Sequence, residues 1–172
     1  MPRSPRLRTV AFVLLSSAAL AACGKKAPKQ LPPPPGPAPV ASAAPATQGP
    51  MPGSQADFVA TLMGKDVIYF DTDRYNIDDE DAAALAQQAT WLKKYPAKRA
   101  TIEGHCDERG TREYNLALGE RRANAAKNYL VGLGIDPARL STISYGKERP
   151  VALGSDEASW AKNRRAVTVT ID

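Results

Sequence analysis

Ten of the fifteen prolines fall between Pro28 and Pro52, and Pro32 to Pro35 form an unbroken run. Proline fixes φ and has no backbone N–H, so such a stretch favours an extended polyproline-like chain and builds no packed core. Gly24 to Ala56, otherwise rich in Ala, Gly and Ser, is therefore expected to be a disordered tether. Its reach is on the order of 100 Å if extended and about 30 Å if fully flexible. Folding is left to residues 57–172, a length that can bury a core without disulfides or metals.

Charge is as unevenly spread as proline. The chain carries 23 Lys and Arg against 18 Asp and Glu, with a pI near 9.3. Arg3, Arg6 and Arg8 precede the first apolar run, and Lys25, Lys26 and Lys29 follow Cys23. From Asp57 onward, 17 basic residues therefore face all 18 acidic ones, a net charge of −1. The basicity belongs to the N-terminal segments, and nucleic acid is excluded as a partner.

Those segments read as an address. Three arginines without an acid lead into Val10 to Ala22, apolar or small apart from Ser16 and Ser17. A basic stretch followed by about a dozen apolar residues describes a secretory signal, too short for a comfortable span of about 20 residues. Leu20-Ala21-Ala22-Cys23 resembles the bacterial lipobox, in which small residues admit the backbone to a peptidase and the thiol accepts diacylglycerol. The resemblance implies a signal peptide over 1–22, a lipidated Cys23 opening a linker over 23–56, and a folded domain over 57–172. Lipoproteins of this kind usually carry three acyl chains, and even two anchor stably. Gly24 is compatible with the outer membrane, where an Asp would often mark inner-membrane retention.

Within the domain, Val67 to Phe70 is a β-favouring run. Asp78 is placed to cap a helix over Asp79 to Tyr95, with Asp79, Glu80 and Asp81 suiting its dipole, Ala82, Leu85, Ala89 and Leu92 as its apolar stripe, and Pro96 as its stop. Ala100 to His105 reads as a second strand and Asp107 to Thr111 as a loop. A second helix covers most of Arg112 to Leu133, where Leu116, Gly119, Ala123, Ala126, Leu130 and Leu133 step by three and four. Gly119 marks a break or a new N-cap, and Gly134 ends the helix. Ser141 to Tyr145 is a third strand. Ser155 caps a short helix through about Asn163, and Arg165 to Ile171 is a fourth strand. The order β-α-β-α-β-α-β predicts an α/β sandwich with helices against a sheet, strand directions left open.

The stretch from Gly104 through His105-Cys106-Asp107-Glu108-Arg109-Gly110-Thr111 and Arg112-Glu113-Tyr114-Asn115 to Gly119-Glu120-Arg121-Arg122-Ala123 resembles the core signature of the OmpA-like C-terminal domain family. Ser144-Tyr145-Gly146-Lys147-Glu148, Asn163-Arg164-Arg165-Ala166 and Val67 to Ile77 resemble the family's peptidoglycan-associated lipoprotein branch. The resemblance covers about Val67 to Asp172. It implies helices packed on one small mixed sheet and non-covalent binding of peptidoglycan through the diaminopimelate of the stem peptide. It further implies partnership with TolB, and with TolA, in the Tol–Pal system that holds the outer membrane during cell division.

By the same match, Asp107 accepts from the ligand ammonium and Arg122 clasps a carboxylate with its planar fork. If Gly119 opens a new helical segment, Arg122 sits in its first turn beside free amides. Thr72 and Asp73 match positions whose backbone amides hold the other carboxylate, and Arg109 assists; position 72 is often aromatic in the family. Arg164 and Arg165 are expected to stabilise the fold or face a protein partner. His105, Cys106, Asp107 and Glu108 are consecutive, alternate in direction and have no second cluster, so no metal is expected, and no cofactor either. Cys106 stands where the family usually has a small residue and reads as a buried thiol. His105 is the only histidine, and no nucleophile–base pair with an orienting third group is visible. The expectation is a binding module rather than an enzyme.

Overall fold

The computed structural model describes residues 49–171. The expected signal peptide, Cys23 and most of the expected linker lie outside the described residues. Helix α1 spans Gln55–Leu62, β1 Val67–Tyr69, α2 Asp79–Lys94, β2 Arg99–His105 and α3 Arg112–Gly132. A 3-10 turn at Pro137–Arg139 leads into β3 at Leu140–Gly146, then α4 at Glu157–Asn163 and β4 at Arg165–Ile171.

The four strands form one sheet in the order β1-β4-β2-β3. β4 runs antiparallel to β1 and to β2, while β2 and β3 are parallel. The small mixed sheet is therefore present. Its directions bring the C-terminal ends of β1, β2 and β3 to the same end as the start of β4, so three chain crossings meet there.

Period-2 alternation buries Ile68, Ala100, Ile102 and Ala166 against Leu85, Leu92, Ala123 and Leu130 of α2 and α3. On β4 the buried set continues with Thr168 and Thr170, while Val167 and Val169 lie on the other, half-buried face. Two inward threonines are tolerated because their hydroxyls are satisfied. Thr168 donates to Gln88 Oε1 at 2.7 Å, and Thr170 Oγ1 lies 2.7 Å from Gln55 Oε1.

Asp78 caps α2 as expected, its carboxylate accepting from Asp81 N at 2.8 Å. Gly134 takes a φ of 92° just past α3. Three features differ from the sequence reading. Helix α1 was not among the expected elements; it is capped by Ser54 and holds on by Phe58 and Leu62. Helix α4 is capped by Asp156, whose carboxylate accepts from Ser159 N at 2.9 Å, not by Ser155. Helix α3 runs through Gly119 without a break. There the helix backbone rests on β2: a Cβ on Gly104 would strike the Gly119 carbonyl, and one on Gly119 would sit 2.9 Å from Gly104 O. The glycine serves close helix–sheet approach rather than a new cap, so Arg122 lies mid-helix and far from any first-turn amides.

Candidate functional site

At the end where the strands finish, a cavity of about 260 Å³ opens between the β1–α2 loop, the β2–α3 loop and the first half of α3. Asp107, Arg109, Arg122, Thr72 and Asp73 all line it, as does Arg164. The sequence-derived site residues of the domain are thus brought together; Cys23 lies outside the described residues.

Arg122 is fully buried. Its Nε donates to Arg74 O at 2.8 Å, Nη1 to His105 O at 2.8 Å and Nη2 to Asp71 O at 3.0 Å. One guanidinium thereby ties the β1–α2 loop to the end of β2. Of the five N–H groups of a guanidinium, three hold backbone carbonyls, and the group also bonds the Cys106 thiol beside it at the cavity wall. Burial pulls its pKa down from the usual arginine value. The face of Phe70, 5.1 Å from the guanidinium carbon, supplies a further cation–π contact.

Asp107 is 7% exposed. Burial alone would raise its pKa, but the hydrogen bonds and charge of Arg109, with a hydrogen bond from Arg164, outweigh it and hold the carboxyl below its ordinary value. It is therefore an anion at neutral pH. Arg109 grips it as a fork, Nε to Oδ1 at 3.1 Å and Nη2 to Oδ2 at 2.7 Å.

On the opposite rim, Asp73 adopts a left-handed backbone (φ 56°), a conformation Asp tolerates better than most residues and one that recurs at ligand-binding loops. Its Oδ1 accepts from Tyr114 OH at 3.1 Å, and Thr72 Oγ1 accepts from Arg109 Nη2 at 3.3 Å. Among the described residues, the backbone amides of Thr72 and Asp73 have no hydrogen-bond acceptor, so both donors are available there. Thr72 in place of an aromatic gives Arg109 a hydroxyl to bond.

Cys106 is buried against the cavity wall, its thiol donating to Asn115 O at 3.3 Å, and burial pushes its pKa up. The thiol is the small buried residue the sequence suggested. Its neighbours diverge. His105 packs on Tyr145, and Glu108 turns outward to accept from Trp160 Nε1 at 3.0 Å. Among the described residues no group of three His, Cys, Asp or Glu could hold a metal ion.

Arg164 is the residue whose place in the site was missed. It stabilises the fold as expected, Nε donating to Phe70 O at 2.9 Å and Nη2 pairing with Glu157 at 2.7 Å. It also places Nη1 3.4 Å from Asp107 Oδ2. The Asn163-Arg164-Arg165-Ala166 motif was the available signal; both arginines are buried, and that Arg164 is the one reaching Asp107 could not be read from it.

The family model of the OmpA family matches residues 69–164. A peptidoglycan-associated lipoprotein of Rhizobium meliloti is 47% identical over 98% of this chain and 93% of its own. One from Agrobacterium fabrum is 46% identical over 98% and 91%. The crystal structure of the peptidoglycan-associated lipoprotein from Burkholderia pseudomallei superposes with a TM-score of 0.63 at 49% identity, covering 66% of this chain and 96% of that one. The C-terminal domain of Helicobacter pylori MotB, 21% identical with a TM-score of 0.58 over 62% of this chain and 84% of that one, shares the fold.

Proposed function

The chain belongs to the OmpA family and, within it, to the peptidoglycan-associated lipoproteins, and from that premise we propose that it binds peptidoglycan non-covalently through the diaminopimelate of the stem peptide. The observation that carries the reading is a cavity lined by both a buried carboxylate, Asp107, and a buried guanidinium, Arg122. Diaminopimelate ends in a carboxylate and an ammonium on one carbon, so a site for it needs an anion and a cation at fixed separation. Asp107 takes the ammonium and the Arg122 guanidinium takes a carboxylate with N–H groups not used on backbone carbonyls. The free amides of Thr72 and Asp73 take the other carboxylate, as a backbone turn can. Arg109 belongs to the site through its fork on Asp107.

The chain acts as a binder, not an enzyme. Cys23 carries the lipid that fixes it to the outer membrane, the linker over 23–56 spans part of the periplasm, and the domain over 57–172 holds the wall. TolB, and TolA through the Tol–Pal system, are the protein partners, and the work is envelope integrity and constriction at division. The lipoprotein relatives and the lipobox-like Leu20 to Cys23 support this layout.

Cosedimentation with purified sacculi tests the wall reading. Asp107→Ala should bind at least about tenfold more weakly, the loss of one charge-assisted bond; equal sedimentation of variant and wild type refutes the assignment. Cys23→Ser should take up no labelled palmitate and leave the membrane fraction.

A further inference from the structure

A carboxylate has about four lone-pair positions, and those of Asp107 are all in use. Oδ1 accepts from the Arg109 amide and from Arg109 Nε, each at 3.1 Å. Oδ2 accepts from Arg109 Nη2 at 2.7 Å and from Arg164 Nη1 at 3.4 Å. A ligand ammonium therefore meets an anion with no vacant acceptor, and one donor has to leave before it can bind.

The four donors differ in their freedom to do so. The Arg109 amide is part of the loop backbone. Arg164 is buried and held by Phe70 O and Glu157. The Arg109 side chain is 39% exposed and has one further bond, the long one to Thr72 Oγ1. It is seated from behind: its guanidinium carbon lies 4.2 Å from the centre of the Trp160 ring. Trp160 in turn is pinned by its Nε1 to Glu108. Helix α4 thus supplies a platform for an arginine that belongs to the β2–α3 loop.

We propose that the Arg109 side chain is a latch on Asp107, seated by Trp160, and that the ligand ammonium binds by displacing it. This rests on the diaminopimelate reading and adds to it a positioning residue, Trp160. The latch keeps the carboxylate charged and oriented while the site is empty, and it rejects ligands whose amine is blocked, since those cannot replace a guanidinium. It also makes Trp160 a reporter. The other tryptophan, Trp91, is buried against Phe58 with its Nε1 on Asp57 and gives a constant background.

The test is a titration of the full chain in detergent with the tripeptide L-Ala-γ-D-Glu-meso-diaminopimelate, following tryptophan emission and heat together. Wild type should show a saturable emission change at the calorimetric midpoint. Trp160→Ala should lose the emission change, and Trp160→Ala and Arg109→Ala should each bind roughly fivefold more tightly, the scale of one part-exposed ion pair. Asp107→Ala should lose binding. Weaker binding by Arg109→Ala makes Arg109 a ligand contact and overturns the latch while leaving the site intact. Binding by wild type with unchanged emission overturns it as well. Binding by Asp107→Ala equal to wild type removes the site reading, and the latch with it.

Discussion

Two parts of this domain exclude water by opposite means. In the core, Phe58, Leu85, Trp91, Leu92, Leu130 and Ile135 pack together with almost no exposure, and their contribution scales with apolar area and is indifferent to direction. Around the cavity the buried charged groups are Asp107, Arg122 and Arg164. There, loops are held by guanidinium N–H groups aimed at particular carbonyl and carboxylate oxygens. Cohesion of the first kind is spread over many side chains and survives a change in any one. Cohesion of the second kind is concentrated in a few groups, and these are the groups proposed to do the recognising. Stability and binding should therefore separate in the core and move together at the site.

The sharpest way to break that contrast is at Arg122. Arg122→Ala strands three backbone carbonyls and should cost about 4 kcal/mol in urea unfolding, as losses from buried charged networks do, with wall binding lost as well. Arg122→Lys keeps the charge but not the fork and should recover only part of either. Leu92→Ala, a cavity in the apolar core, should cost about 3 kcal/mol yet leave the sacculus affinity of the folded fraction unchanged.

A smaller effect is expected at the seam between the two regions. In Gly119→Ala the new methyl meets Ser144 Oγ and the Gly104 backbone. Overpacking should outweigh the gain in helix propensity and cost about 1 kcal/mol net. A gain in stability instead would mean that the helix–sheet approach has room for a methyl group.

The smallest effect concerns pH. Burial raises Asp81 to about 6 from 3.8, so its stabilising contribution is full below pH 3.8 and is lost as pH rises through about 6. His105 is lowered to about 4, by burial first and then by Arg165 and Arg149. Its contribution is present above pH 6.5 and is lost as pH falls through about 4. The two oppose each other across pH 4 to 6. Asp81→Asn should remove one of them, and the urea midpoint should then climb more steeply with pH over that window than in wild type.

Much of the fold was legible because it is written in local pattern. The stepping of Ala123, Ala126 and Leu130, the cap at Asp78 and the run from Arg165 to Ile171 each declare an element without help from the rest of the chain. Helix α1 was not legible because only Phe58 and Leu62 mark it, beside a segment dominated by proline. The reason for Gly119 was hidden because its partner, Gly104, lies on another element. The site was legible in a different manner. Asp107, Arg109 and Arg122 came from a motif resemblance, and no periodicity would have singled them out. Arg164 reaches Asp107 across 57 residues of sequence, and only the antiparallel placement of β4 beside β2 brings them together.

The claim that one cavity reads a carboxylate and an ammonium together is tested most directly by calorimetry with two tripeptides. One ends in meso-diaminopimelate, the other in L-lysine, which lacks the second carboxylate. The diaminopimelate peptide should bind at least about tenfold more tightly, since the lysine peptide leaves buried donors unpaired. Equal affinity for the two would contradict it.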